Sequence, residues 1–161
     1  MFFARALFAF VALPGMVAFA VPAIWLWQAR HLHLENSWAL VVLVVGVAGL
    51  LWCVRDFYVQ GKGTLAPWSP PQHLVVGGLY RFSRNPMYVC VFLILVGWAA
   101  AFESVGLLVY GLCVGLAFHL RVVHGEEPWL AKTHGASWQT YVKRVPRWIG
   151  LRSVTDEPTR S

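Results

Sequence analysis

The chain has 161 residues, of which 58% are hydrophobic and only 12% charged, and its mean hydropathy is +0.60. A soluble domain of this length needs far less apolar surface, so the composition points to a small integral membrane protein. The net charge of +6 is spread over loops and the C-terminal segment rather than gathered into a run, which argues for membrane topology and against a nucleic-acid partner.

The first predicted span covers residues 6–27. Its "AFA" mimics a signal-peptidase site, but apolarity continues to Trp27, enough to cross roughly 30 Å of hydrocarbon. We therefore read a retained helix, with Pro14 and Pro22 as kinks that neighbouring helices accommodate. After the polar connection "RHLHLENS", a second span is expected over residues 38–54. Residues 55–85 are polar and broken by glycines and prolines. A third span over residues 86–102 and a fourth over 105–123 are separated only by Glu103–Ser104, so they form an antiparallel hairpin. Further on, Leu130, His134, Trp138, Tyr141, Val142 and Val145 recur at helical spacing despite Gly135. With Trp129, Trp138 and Trp148, this reads as an amphipathic helix on the membrane surface. The expected fold is thus all-α and polytopic, with about four transmembrane helices and a C-terminal interfacial helix. Residues 1–150 form one domain and 151–161 a polar tail.

Four spans put Arg5, Arg55, Lys62, Arg81, Arg84 and the basic residues from Arg121 onward on one side. Arg30, Glu35 and Glu103 fall on the other. The positive-inside rule then places both termini in the cytoplasm. It also brings "GGLYRFSRNPMY" and "GEE" together at the base of the hairpin.

The residues in these segments admit chemical and purely structural readings. Pro86 suits a first helical turn, and Asn85 before it suits an N-cap whose side chain accepts from the first amides. Tyr80, Arg84 and Tyr88 add two rings and a guanidinium at the positive end of a helix, a setting for anionic or polar ligand groups. The ring faces also suit a sulfonium or ammonium. Arg81 and Arg84 also read as positive-inside anchors. Glu126 and Glu127 stand as helix-capping acids before Pro128, or as acceptors for the ribose or amino group of a nucleoside ligand, and both roles are compatible. Arg121, near the end of the fourth span, must pair or snorkel. His119, His124 and His134 do not share one helical face, so no metal site is expected. Cys53, Cys90 and Cys113 form no CxxC pair and read as small buried hydrophobes.

In this order, "HLVVGGLYRFSRNPMY", "GEE" and "HGASWQTYVKRVP" resemble the membrane methyltransferase superfamily that contains isoprenylcysteine carboxyl methyltransferases and phospholipid N-methyltransferases. The resemblance covers a little over half the chain, from Lys62 to Trp148. It implies an α-helical membrane enzyme that uses S-adenosyl-L-methionine to methylate a lipophilic, membrane-resident acceptor. Carried over by position, His73, Leu74, Val75, Val76, Tyr80, Asn85, Pro86, Met87, Tyr88, Glu126 and Glu127 are the implied cofactor contacts. Arg121 is the implied catalytic residue beside the acceptor. The implied activity is isoprenylcysteine carboxyl methyltransferase-like, but carboxyl methyltransferases typically have histidine where this chain has Asn85, which weakens the case for isoprenylcysteine itself as the acceptor. The alternative reading is a non-catalytic membrane scaffold that keeps the fold.

Overall fold

The computed structural model describes residues 11–30, 33–60 and 73–150. The start of the first predicted span, part of the long polar loop and the polar tail lie outside the described residues. Every regular element among those described is helical. Wide π-type turns over Val11–Ala20 lead into α1, Val21–Gln28. Next come α2, Ala39–Val59, and a 3₁₀ turn, Gly78–Arg81. The hairpin consists of α3, Pro86–Ala101, and α4, Val105–Arg121. A π-type turn, Val122–Glu126, joins α4 to α5, Glu127–Arg144.

Two of these helices are long and apolar enough to cross a membrane: α2, and the continuous helix Val105–Arg144. At 16 residues α3 is shorter; a rise of 1.5 Å per residue makes it about 24 Å long. Helix α2 ends five residues beyond the predicted limit of 54, because Arg55, Asp56 and Tyr58 continue its hydrogen-bond ladder. Hydropathy marks where lipid contact ends, and the backbone ladder has no need to stop there.

The core is the antiparallel pair α2–α3. Ala18, Leu50, Cys53, Val75, Tyr80, Cys90, Val91, Ile94 and Leu95 are buried in it. The two axes approach closely because a glycine on each helix faces a larger residue of the other. A Cβ on Gly46 would lie 2.8 Å from Ile94 Cγ1, and one on Gly97 would lie 2.9 Å from the Leu43 amide nitrogen. Such close contact multiplies the dispersion contacts that hold the pair together.

Proline explains how the first segment docks. Pro22 has no amide hydrogen, so the carbonyls four and five residues before it lose that donor. These are Ala18 and Val17. Trp98 Nε1 on α3 donates to the Ala18 oxygen at 3.0 Å, and the Tyr110 hydroxyl on α4 donates to the Val17 oxygen at 3.2 Å. The expected accommodation of a proline by neighbouring helices is therefore seen side chain by side chain.

The hairpin turn is as short as expected. Glu103 adopts a positive φ of 46°, and Ser104 caps α4 by accepting from the Leu107 amide at 3.3 Å. Helix α5 differs from a plain amphipathic rod. Gly135, at φ 49° and ψ −119°, breaks it internally. Its apolar face also packs on protein: Trp138, Tyr141 and Val145 are buried together against Leu74. Trp138, expected at the lipid interface, is an interior residue.

Candidate functional site

The site grows from the N-terminal end of α3. Gly78 begins the 3₁₀ turn at φ +57°, a conformation that favours glycine. The turn places Tyr80 in the core, its ring centroid 5.6 Å from that of Phe57. Tyr141 of α5 donates its hydroxyl to the Tyr80 carbonyl at 2.7 Å. Burial pushes the Tyr141 hydroxyl above its ordinary pKa, with Arg84 pulling the other way.

The segment after this turn is stitched to the stretch that follows α5. The Arg84 amide donates to the Pro146 carbonyl at 2.9 Å. The Ser83 hydroxyl and Asn85 Nδ2 both donate to the Arg147 carbonyl, at 3.3 and 3.1 Å. Asn85 precedes α3 as expected, but its side chain makes no capping bond. Its amide group is used across the structure instead, because the Arg147 carbonyl lies within reach and Pro86 leaves one fewer amide to satisfy.

The two glutamates are adjacent in sequence and differ in environment. Glu127 is gripped by two arginines. Arg84 Nη1 lies 2.9 Å from Oε1, and Arg147 forms a fork with Nε 2.9 Å from Oε1 and Nη2 2.8 Å from Oε2. The Arg84 side chain is only 8% exposed and lies over the Trp138 ring, 5.6 Å from its centroid. The fork raises the Arg147 pKa, chiefly through its hydrogen bonds to Glu127. Glu126 instead accepts on Oε1 from the Tyr88 hydroxyl and from Arg121 Nε, the latter at 2.8 Å. Arg121 Nε also reaches the Tyr88 oxygen at 3.2 Å. Expected to pair or snorkel, Arg121 pairs: its side chain is 61% exposed, yet it is held in place by this triad.

The structure thus joins Tyr88, Arg121 and Glu126 in one network and Arg84, Asn85 and Glu127 in a second beside it. Pro86, Tyr80 and Val75 are core residues, and Met87 packs against the same core. Leu74 belongs to the α5 cluster, whereas Val76 and His73 are exposed. Sequence reading missed Arg147, although it directly follows the "RVP" that carried the resemblance. It also assigned Asp56 to the polar loop, whereas that residue is buried on α2. The signal for Arg147 was a second arginine after a proline, where positive-inside counting already explained the charge.

These features define a class: a helical protein with two helices long and apolar enough to cross a membrane, whose charged residues converge at one end of an apolar hairpin. A family model described as "Phospholipid methyltransferase" matches residues 36–137. The chain belongs to that family, part of the membrane methyltransferase superfamily. It is 28% identical to the nickel-cobalt-cadmium resistance protein NccN of Alcaligenes xylosoxydans xylosoxydans, over 77% of this chain and 57% of that protein. It is 27% identical to the cobalt-zinc-cadmium resistance protein CzcN of Cupriavidus metallidurans, over 77% of this chain and 56% of that protein. The chain therefore spans little more than half the length of these curated relatives. No solved structure matches.

Proposed function

We propose that this protein transfers a methyl group from S-adenosylmethionine to a lipophilic acceptor that reaches the site from the bilayer. The observation that carries this reading is the convergence of three distant segments, around Tyr88, Glu126–Glu127 and Arg147, at one end of α3. The residues present fit the donor. Glu126 receives both of its bonds on Oε1, which leaves Oε2 to accept from ribose hydroxyls or an amino group. The turn at Gly78 lets backbone approach a ligand closely.

S-adenosylmethionine supplies a methyl group already activated on a sulfonium. The chain's task is then to orient two partners and exclude water. Glu127, saturated by Arg84 and Arg147, fixes the spatial relation of the three segments. Glu126 holds the donor, and Tyr88 fixes Glu126. Arg121, exposed toward the acceptor side, orients an anionic or polar head group through its planar fork. A carboxylate or thiolate acceptor needs no base, whereas an amine must shed a proton. In the membrane we read four spans, with α5 lying along the cytoplasmic interface and both termini in the cytoplasm.

The deciding experiment incubates membranes containing the protein with methyl-labelled S-adenosylmethionine and identifies label in the lipid extract. A labelled product that depends on the protein is expected. Donor binding without any labelled product in lipid or protein fractions would favour a non-catalytic scaffold. Reporter fusions should put the C-terminus in the cytoplasm and Glu35 and Glu103 outside; an external C-terminus overturns the topology.

A further inference from the structure

The Pro86 end of the molecule holds more positive charge than its two networks use. Among the described residues, Glu126 and Glu127 are taken up by Arg84, Arg121 and Arg147, and Asp56 lies beside Arg55. Glu35 and Glu103 belong to the Ala101 end. Arg81, Lys132, Lys143 and Arg144 are exposed and have no ion pair among the described residues. Two of them adjoin. The Tyr141 hydroxyl donates to the Tyr80 carbonyl. Arg81 is next in the chain after Tyr80, and Arg144 lies about one turn beyond Tyr141.

Large apolar side chains stand in the same surface. Phe82 is 58% exposed and Ile149 is 79% exposed, and neither lies on a helix. Ser83 donates to the Arg147 carbonyl and the Arg84 amide to the Pro146 carbonyl, so the two segments run in opposite directions. Arg81 and Phe82 therefore leave this stitch on the same side as Trp148 and Ile149. A surface facing only water gains nothing from showing Phe82 and Ile149. One facing hydrocarbon could not hold bare cations. Cations set among apolar side chains suit the head-group boundary of a bilayer, and their excess suits a leaflet of negative charge.

We propose that this surface docks on the head groups of anionic phospholipids, with Arg81 and Arg144 against phosphate and Phe82 and Ile149 among the upper acyl chains. It uses no residue of the Tyr88–Arg121–Glu126 triad or of the Glu127 clamp. The lipid is a docking partner there and not a methyl acceptor. The proposal goes beyond methyl transfer and rests only on the placement of α5 along the membrane interface.

The test uses the full chain in micelles of a neutral detergent. Phosphatidylglycerol and phosphatidylcholine with identical chains, one chain labelled, are compared by energy transfer from the protein's tryptophans. Each basic residue near an anionic head-group layer is worth about fivefold in affinity, so phosphatidylglycerol should bind at least about tenfold more tightly at low salt. The preference should fall steeply toward roughly 1 M salt, where charges are screened beyond about 3 Å. Arg81→Gln combined with Arg144→Gln should remove most of it. Arg81→Lys with Arg144→Lys should keep it, because a head-group layer asks for charge rather than a fork. Phe82→Ser with Ile149→Ser should weaken both lipids alike. Equal affinity of the unmodified protein for the two lipids overturns the proposal, as does a preference that survives the paired glutamine substitutions. Glycerophosphoglycerol, the head group without chains, should compete weakly; competition as strong as that of the lipid would make the partner a free phosphate anion and overturn the commitment to a membrane. If the glutamine variant does not accumulate, the salt series on the unmodified protein decides, and a preference indifferent to salt overturns the proposal. Failure to bind S-adenosylmethionine would remove the methyltransferase reading and leave each of these outcomes as it stands.

Discussion

The two ends of α3 are closed in different ways. At the Ala101 end, the Glu35 and Asn36 amides donate to the Ala101 carbonyl at 2.9 and 3.2 Å, and Asn36 Nδ2 donates to Glu103 at 2.8 Å. These bonds answer the ordinary need of a helix end for partners, and one amide side chain and one carboxylate suffice. At the Pro86 end, Arg84, Arg121, Arg147, Glu126, Glu127, Tyr88 and Tyr141 gather in linked hydrogen bonds and ion pairs. Capping does not require that many charges. The contrast separates an end that only finishes a helix from the end on which the proposed function rests.

The comparison can be broken at several points. Among single substitutions, the largest effect is expected from Glu127→Gln, which leaves the mostly buried Arg84 against a neutral amide. Breaking such a pair costs about 3 kcal/mol, which should appear as a clear drop in the unfolding midpoint in detergent. Glu126→Gln comes next. Its stability effect stays below about 1 kcal/mol, because its arginine partner is exposed. Its affinity for S-adenosylmethionine should fall by roughly 1.5–3 kcal/mol, the worth of a hydrogen bond to a charged group. Equal stability losses in the two variants would erase the distinction between clamp and ligand contact.

Arg121→Ala should reduce methyl transfer more than about tenfold, only ~1.4 kcal/mol of transition-state stabilisation, while donor affinity changes much less. Arg121→Lys should rescue poorly, since an ammonium lacks the planar fork. Parallel loss of affinity and transfer would move Arg121 into the donor site. The smallest effect belongs to the other end of α3. Glu103→Ala removes one exposed partner of Asn36, should cost under about 1 kcal/mol, and should leave methyl transfer unchanged.

The hairpin was legible because its limits are written in residues with strong local rules: Pro86 at one end, Glu103–Ser104 at the other. The end of α2 was not, because charged residues look like a loop to hydropathy and like ordinary helix to the backbone. Tyr88, Arg121 and Glu126 were singled out by unusual chemistry in apolar surroundings, and they do meet. Asn85 was placed correctly at the helix start but given the wrong bond. Its actual partner, the Arg147 carbonyl, lies 62 positions away in sequence, beyond any local rule. Arg147 escaped notice because a surface arginine and a clamping arginine are identical until the partner is known.

The π-type turn between α4 and α5 has a geometric consequence. The Glu127 amide reaches back five residues, to the Val122 carbonyl, where an α-helix would reach back four. One extra residue resets the angular phase of everything downstream. Helix α4 keeps Val105, Leu108, Val109, Leu112 and Leu116 outward, while α5 turns Trp138 and Tyr141 toward protein. Removing a single residue from Val122–Glu126 would rotate α5 by about 100° relative to α4 and draw it in by about 1.5 Å. Glu127 would swing off Arg84, and Trp138 would leave its place under that arginine. The chain would retain every side chain of the site and lose their alignment, so a one-residue deletion here should be more damaging than the loss of any one of the charges it carries.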